Sequence, residues 1–308
     1  ENISIKKKYL DITIIAIPGL VSLSPTLKFI KKTKRILLAN KESIICAWKL
    51  IKKEAGKFKT SIIPIDSEHF SIMKLIENEK IENIKKIYIT ASGGPFLNWK
   101  PNQIKNAKLS EAIKHPKWNM GKKISVDSAT MMNKVFEYCE ARHLFSLSPK
   151  KLRIIIHPQS LAHAIVEFNN GITKILYHEP NMIIPISNAI FESDNQIVKF
   201  IDIVKNPIQD SKIEFFKIDK KKFPVIKLIE ILDKYPSAAI IVNGANEIFV
   251  DQFLKKNIKF IDIIEGIFKI LKHREFKKYA IQDPNNLNKI YKIDNWSRIK
   301  AYMITVDK

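Results

Sequence analysis

The chain has 308 residues, 45% of them hydrophobic and 27% charged, with few Gly and Pro and a formal charge of +22 at pH 7. That balance is that of a globular protein and excludes disordered and collagen-like chains, and no apolar run is long enough to span a bilayer. The charge would suit a nucleic-acid binder, but lysine outnumbers arginine roughly ten to one, and bidentate phosphate or base recognition favours arginine.

The "KK" pairs are scattered along the whole length, alongside heavy use of Ile, a drift that an AT-rich bacterial genome would impose. Such a charge still attracts anionic substrates. Cys46 and Cys139 are the only cysteines, in helix-like apolar contexts, which makes no disulfide framework and points to a reducing compartment. The expected location is the cytoplasm, with a plastid-type organelle less expected.

In chain order, "KKKYLDITIIAIPGLVSL" mimics a signal peptide, but Asp11 and Thr13 interrupt its apolar run. It reads better as a buried strand over 11–17 entering a turn, so the first residue falls in mid-domain. A helix over 24–34, a strand over 35–40, a helix over 41–55 and a strand over 60–66 follow. Strands alternating with helices predict a parallel sheet with crossover helices. The second block has "IKKIYITASGGPF" at 84–96, a broken loop at 114–123, a helix over 128–145 and a strand over 153–160. "AIVEFNNGITKILYH" then carries an Asn-Gly hairpin signal, before an apolar segment, "MIIPISNAIF". Residues 195–218 are mixed and loop-like, and 219–308 are almost wholly helical in period.

Five stretches bear chemistry. In "PIDSEH" Asp66 and Glu68 stand two apart, on one face if the strand continues, and two like charges so placed call for a cation between them. The alternative is a solvated acidic turn. In "SVDSATMMNKVFEYCEARHLF", with Ser128 at the helix start, Asn133 and Lys134 share a face with Glu137. Hydroxyl, amide and ammonium there suit a phosphate, and Glu137 is the third carboxylate for a hard Mg²⁺ or Mn²⁺ ion.

"ITASGGPF" ends in Ser92 and a glycine pair that either approaches an oxyanion or makes a tight turn. "HPKWNMGKK" places His115, Trp118, Met120 and Gly121 in a segment too polar for a core, as in a mobile lid. "LANKES" sets Asn40, Lys41 and Glu42 at the carboxyl end of a strand, where parallel sheets bind ligands.

Taken together, "LLANKES", "PIDSEH", "ASGGPF", "HPKWNMGKKISVDSATMMNK", "IIHPQS" and "GANE" resemble, in order and spacing, the 1-deoxy-D-xylulose 5-phosphate reductoisomerases. The resemblance implies an α/β fold: a partial, Rossmann-like NADPH-binding domain at 1–66 and a catalytic α+β domain at 67–194. A linker at 195–218 and a helical bundle domain at 219–308 would follow. It implies a metal site of Asp66, Glu68 and Glu137, and rearrangement of 1-deoxy-D-xylulose 5-phosphate followed by NADPH reduction to 2-C-methyl-D-erythritol 4-phosphate.

Lys41, Ser67 and Glu68 then match contacts to the hydroxyl end of the substrate, and Ser92, His115, Ser128, Asn133 and Lys134 match its phosphate side, with Lys41, Glu68 and His115 as the catalytic set. Asn40, Glu42 and Gly121 match cofactor contacts, and Trp118 and Met120 belong to a flap over 114–123. A homodimer is implied, and no specific nucleic-acid or membrane partner.

The chain departs from the family at Pro18 and Ser22, at Val135, His178, Asn181 and Ile183, and at Gly244, and its Gly-rich cofactor turn is not found in these residues. Two alternatives stand beside this reading: a homologue that binds metal and sugar phosphate without hydride transfer, and a basic nucleic-acid-binding protein.

Overall fold

The structure, a computed structural model, describes residues 9–192, 197–201 and 212–306. It opens with β1 (Leu10–Ile15), α1 (Leu23–Ile30), β2 (Thr33–Leu38), α2 (Lys41–Phe58), β3 (Ser61–Pro64) and α3 (Ser67–Leu75). The three strands make a parallel sheet in the order β1-β2-β3, as the alternating pattern predicts. Short turns lead from β2 into α2 and from β3 into α3, so the carboxyl ends of these strands deliver both helix starts to one edge of the sheet.

A second block contains β4 (Ile84–Ala91), α4 (Pro101–Lys105), α5 (Leu109–Ala112), α6 (Lys122–Thr130), α7 (Met132–Leu144), β5 (Leu152–Ile156), β6 (Ala162–Phe168), β7 (Thr173–Tyr177), α8 (Ile183–Phe191) and α9 (Val198–Ile201). Its sheet has the order β5-β4-β6-β7, with β4 and β5 parallel and the other pairs antiparallel. The hairpin falls where Asn-Gly predicts it, with Gly171 at φ 88°. The C-terminal part is helical: α10 (Leu228–Lys234), α11 (Ala238–Leu254), α12 (Phe260–Lys272), α13 (Phe276–Ala280) and α14 (Leu287–Val306). One buried apolar cluster runs from Ile15 through Phe136 to Ala301 and joins both sheets to these helices.

Several boundaries differ from the sequence expectation. The strand over 60–66 stops at Pro64, because Asp66 caps the next helix and its side chain accepts the Glu68 N–H. The helix over 128–145 is two helices. Met131 takes a left-handed conformation, φ 67°, and its N–H bonds to the Ser128 carbonyl, which ends α6 and starts α7. Ser128 therefore lies in the last turn of α6 and is not a helix start. The strand over 153–160 stops at Ile156, and "HPQS" is a turn. Within 195–218, residues 202–211 lie outside the described residues, and Phe216 pairs with Ile156 through two backbone hydrogen bonds. Cys46 and Cys139 are buried free thiols, as expected.

Candidate active site

Two helix starts and one helix face meet at the carboxyl edge of the first sheet. Asn40 caps α2 through its side-chain oxygen on the Ser43 N–H, which sends Lys41 inward in the first turn. Asp66 caps α3 and puts Glu68 in its first turn. The first turns of α7 present Asn133, Lys134 and Glu137 to the same space. They line a cavity of about 260 Å³ together with Lys41, Asp66, Ser67, Glu68, Ser92, His115, Trp118, Met120 and Ser128. All the residues expected at substrate, metal and flap positions therefore share one cavity. Asn40, Glu42 and Gly121, expected at the cofactor, do not line it.

Asp66, Glu68 and Glu137 each bring a carboxylate oxygen within 4.8 Å of the others. An all-oxygen set of this kind fits a hard divalent cation. Opposite charge already gathers on it. The Lys41 ammonium lies 3.2 Å from both Asp66 and Glu137 and 2.7 Å from the Asn133 amide oxygen. Lys134 bonds to Glu68 and lies 2.6 Å from Glu137.

Burial and the Glu137 charge raise Glu68 to about 7, against the pull of Lys134. Burial acts the same way on Asp66, but Lys41 and the His69 hydrogen bond outweigh it and hold that carboxyl well below its usual range. The pair first read as neighbours on a strand are brought together instead by a helix cap and its first turn.

Sequence reasoning missed several residues of this site. His69, buried in α3, reaches the Asp66 carboxylate at 3.1 Å with Nδ1 and the Glu137 main-chain carbonyl at 2.9 Å with Nε2. It thus ties two of the three carboxylate residues together, with the buried Glu140 carboxylate 3.4 Å behind Nδ1. Its place directly after "DSE" and the i,i+3 spacing of Glu137 and Glu140 were the available signals. Ser160 and His163 also line the cavity. Ser160 ends the "HPQS" turn at φ 58°, and its hydroxyl is buried without a hydrogen-bond partner.

Two of the residues expected on the phosphate side, Ser92 and His115, hold each other. The His115 Nδ1 accepts the N–H groups of Lys117 at 3.2 Å and Trp118 at 2.9 Å, so Nε2 carries the ring proton, 3.0 Å from the Ser92 hydroxyl. Burial, helped by the nearby Lys134 charge, lowers His115 to about 4. The glycine pair answers to geometry. Gly94 sits at φ 63°, and a side chain there would meet the Ser128 carbonyl at 2.8 Å, so glycine lets the end of β4 lie against α6.

At the expected cofactor edge, the Asn40 amide donates to the carbonyls of Ile17, at 2.8 Å, and Gly19, at 3.1 Å. Lys123 lies 3.3 Å from Glu42. Asn40 thus fixes the loop after β1 against α2, and the Lys123–Glu42 pair ties α6 to α2. Gly19, at φ 79°, gives that loop its turn, and an added Cβ at Gly121 would meet nothing within 4 Å. A fixed loop at the carboxyl end of a parallel strand is the place where such sheets bind ligands.

Comparison with known proteins places this geometry. A profile for 1-deoxy-D-xylulose 5-phosphate reductoisomerase matches residues 2–48, that for its C-terminal domain matches 62–145, and a further DXP reductoisomerase C-terminal domain profile matches 178–300. The reductoisomerase of Pelagibacter ubique (strain HTCC1062) is 46% identical over 298 residues, covering 96% of this chain and 76% of the relative. That of the Wolbachia of Drosophila simulans (strain wRi) is 42% identical over 303 residues, covering 97% and 76%.

A crystal structure of DOX-P reductoisomerase with NADPH, fosmidomycin and magnesium superposes with a TM-score of 0.89 at 36% identity, over 96% of this chain and 76% of that one. The Zymomonas mobilis enzyme in complex with NADPH gives 0.82 at 33% identity, over 96% and 75%. With a common fold, identity of this extent and the carboxylate-lined cavity in place, the chain belongs to the 1-deoxy-D-xylulose 5-phosphate reductoisomerase family.

Proposed function

We infer that the chain is an NADPH-dependent, divalent-metal-dependent reductoisomerase that converts 1-deoxy-D-xylulose 5-phosphate to 2-C-methyl-D-erythritol 4-phosphate, a step of isoprenoid precursor synthesis. Family membership supports the reaction, and the observation that supports its location is the Asp66, Glu68 and Glu137 cluster at one end of the cavity, with Ser92, Ser128 and Lys134 also on its wall. A bound Mg²⁺ or Mn²⁺ supplies Lewis acidity toward adjacent carbonyl and hydroxyl oxygens, and NADPH supplies the hydride.

The chain's own residues bind and orient. Lys41 and Ser67 hold the hydroxyl end, and the Glu68 carboxylate accepts a hydrogen bond from a substrate hydroxyl. Ser92, Ser128, Asn133 and Lys134 take the phosphate, while the His115 Nε2–H orients Ser92. Trp118 and Met120 cover the cavity and exclude water. Asn40, Glu42 and Gly121 define the cofactor edge.

Residues 1–66 serve as the cofactor part, 67–194 as the catalytic part and 219–308 as the helical part. A homodimer is supported by the edge strand β7, which carries the exposed Ile175 and follows the exposed Ile172, and sedimentation equilibrium measures it. No helix among the described residues is long and apolar enough to cross a membrane. With bacterial relatives and two free thiols, a cytoplasmic location follows, checked by cell fractionation.

Titration calorimetry with Mn²⁺ tests the metal reading, alongside NADPH consumption with the sugar phosphate. Wild type should bind one ion with a Kd on the order of micromolar to millimolar, and Glu68→Gln should bind it at least about tenfold more weakly. No binding by wild type, or equal binding by both proteins, removes the cluster from the reaction.

A further inference from the structure

His178, one of the departures from the family pattern, is not idle in the fold. It follows β7 directly, and its ring stacks on that of His163, from β6, with centroids 3.8 Å apart and planes 18° from parallel. His163 is a buried wall residue of the cavity. Its Nε2 lies 3.1 Å from the His178 main-chain carbonyl, which only accepts, so Nε2 holds the proton and Nδ1 the lone pair. His178 is set the other way: its Nδ1 faces the Glu179 carbonyl at 2.6 Å, and its Nε2 is buried with no hydrogen-bond partner. The flap reaches the same column, with Trp118 meeting the His163 ring edge to face at 6.1 Å.

Resting on the reading of this cavity as the substrate site, we propose that His178 is a positioning residue. Its main-chain carbonyl fixes His163 as the Nε2–H tautomer and its ring backs that imidazole in place, both as the seat of the flap's Trp118 and as a hydrogen-bond acceptor for a hydroxyl of the sugar phosphate. Two cationic rings cannot share a 3.8 Å stack in a buried place, so at most one of them can be charged. Burial is the main force keeping His163 uncharged. His178 and Lys134 add to it, and Asp66 opposes it. Because burial is the main force, a ring that shields His163 from water raises the pH of its titration when removed, and a ring that shields nothing leaves it unchanged.

Two variants separate these cases: His178→Phe keeps the stacked face, and His178→Gly removes it while retaining the carbonyl. Histidines labelled with ¹⁵N report tautomer and charge in long-range ¹H–¹⁵N spectra, with His163→Gln assigning the signal. Wild type and His178→Phe should show a neutral Nε2–H pattern for His163 that persists on acidification below the ordinary histidine range. His178→Gly should titrate at higher pH.

In the Mg²⁺- and NADPH-loaded enzyme, His178→Gly should raise KM for the sugar phosphate about two- to tenfold, the scale of one ring-stacking contact, with kcat changing less. His178→Phe should stay within about twofold. An unchanged His163 signal and KM in His178→Gly, or a phenylalanine variant as impaired as the glycine one, overturns the assignment. Absence of turnover in wild type would count against the substrate reading of the cavity, while the His163 signal still decides for or against the stack.

Discussion

His115 joins two segments through its two ring nitrogens. Nδ1 caps the turn at Lys117 and Trp118 that opens the flap, and Nε2–H points to Ser92 at the end of β4. Burial disfavours the charged ring, and the nearby Lys134 charge adds to it, so His115 falls from 6.5 to about 4, in keeping with an Nδ1 that accepts the two turn N–H groups. The sign follows from linkage. The unfolded chain takes up a proton as pH falls below 6.5 and the folded protein does not, so the stability that this group contributes is present above 6.5 and is lost as pH falls toward 4. Denaturant midpoints measured across that interval should therefore fall more steeply for wild type than for His115→Asn. Parallel curves would show that the ring is not tied to the flap turn.

Among the elements, α11 and α14 pack more closely than their sequences announce. Gly244 lies in α11 where the family pattern has Ala, and an added Cβ would stand 2.8 Å from the Asp294 carboxylate and 3.2 Å from its main-chain oxygen. Asp294 cannot simply swing away, because it binds Arg298 at 2.6 Å, and Arg298 also grips Glu247. Glycine in a helix costs about 1 kcal/mol relative to alanine, yet overpacking a tight contact costs about 1–3 kcal/mol. Gly244→Ala should thus destabilise the protein despite its better helix propensity, seen as a lower urea midpoint at unchanged slope. A midpoint equal to or above wild type would mean that α14 yields without cost.

Val135 has a similar explanation. It directly follows Lys134 in α7 but is fully buried in the apolar core, so this departure from the family pattern fills space.

For the molecule as a whole, the charge of +22 is spread over every segment and meets an anionic substrate. Long-range attraction of this kind raises encounter rates and is screened within about 8–10 Å at physiological salt. kcat/KM for the sugar phosphate should accordingly fall as KCl is raised at constant free Mg²⁺, with kcat nearly constant. A kcat/KM independent of salt would show that the lysines serve solubility alone.

Residue identity and local spacing determined much of this protein. Strand–helix alternation forces a parallel sheet, the Asn-Gly pair sets the hairpin, and the i,i+3 and i,i+4 spacings of Asn133, Lys134 and Glu137 put them on one face wherever the helix begins. "PIDSEH" already contained a cap, a first-turn acid and the linking histidine. Its reading as a strand failed because Asp66 offers its side chain to the backbone of the next turn, a local hydrogen bond that alternation does not reveal.

Only the tertiary structure decided which charges meet. That Lys41 would reach across to Glu137, that His69 would bond to a carbonyl of α7, and that His178 would lie beneath His163 depend on contacts between residues 15 to 96 positions apart. The shared core sets those distances, and no periodicity in the chain encodes them. The break at Met131 belongs with them: a left-handed methionine costs energy that α6 and α7 offset only when both are packed.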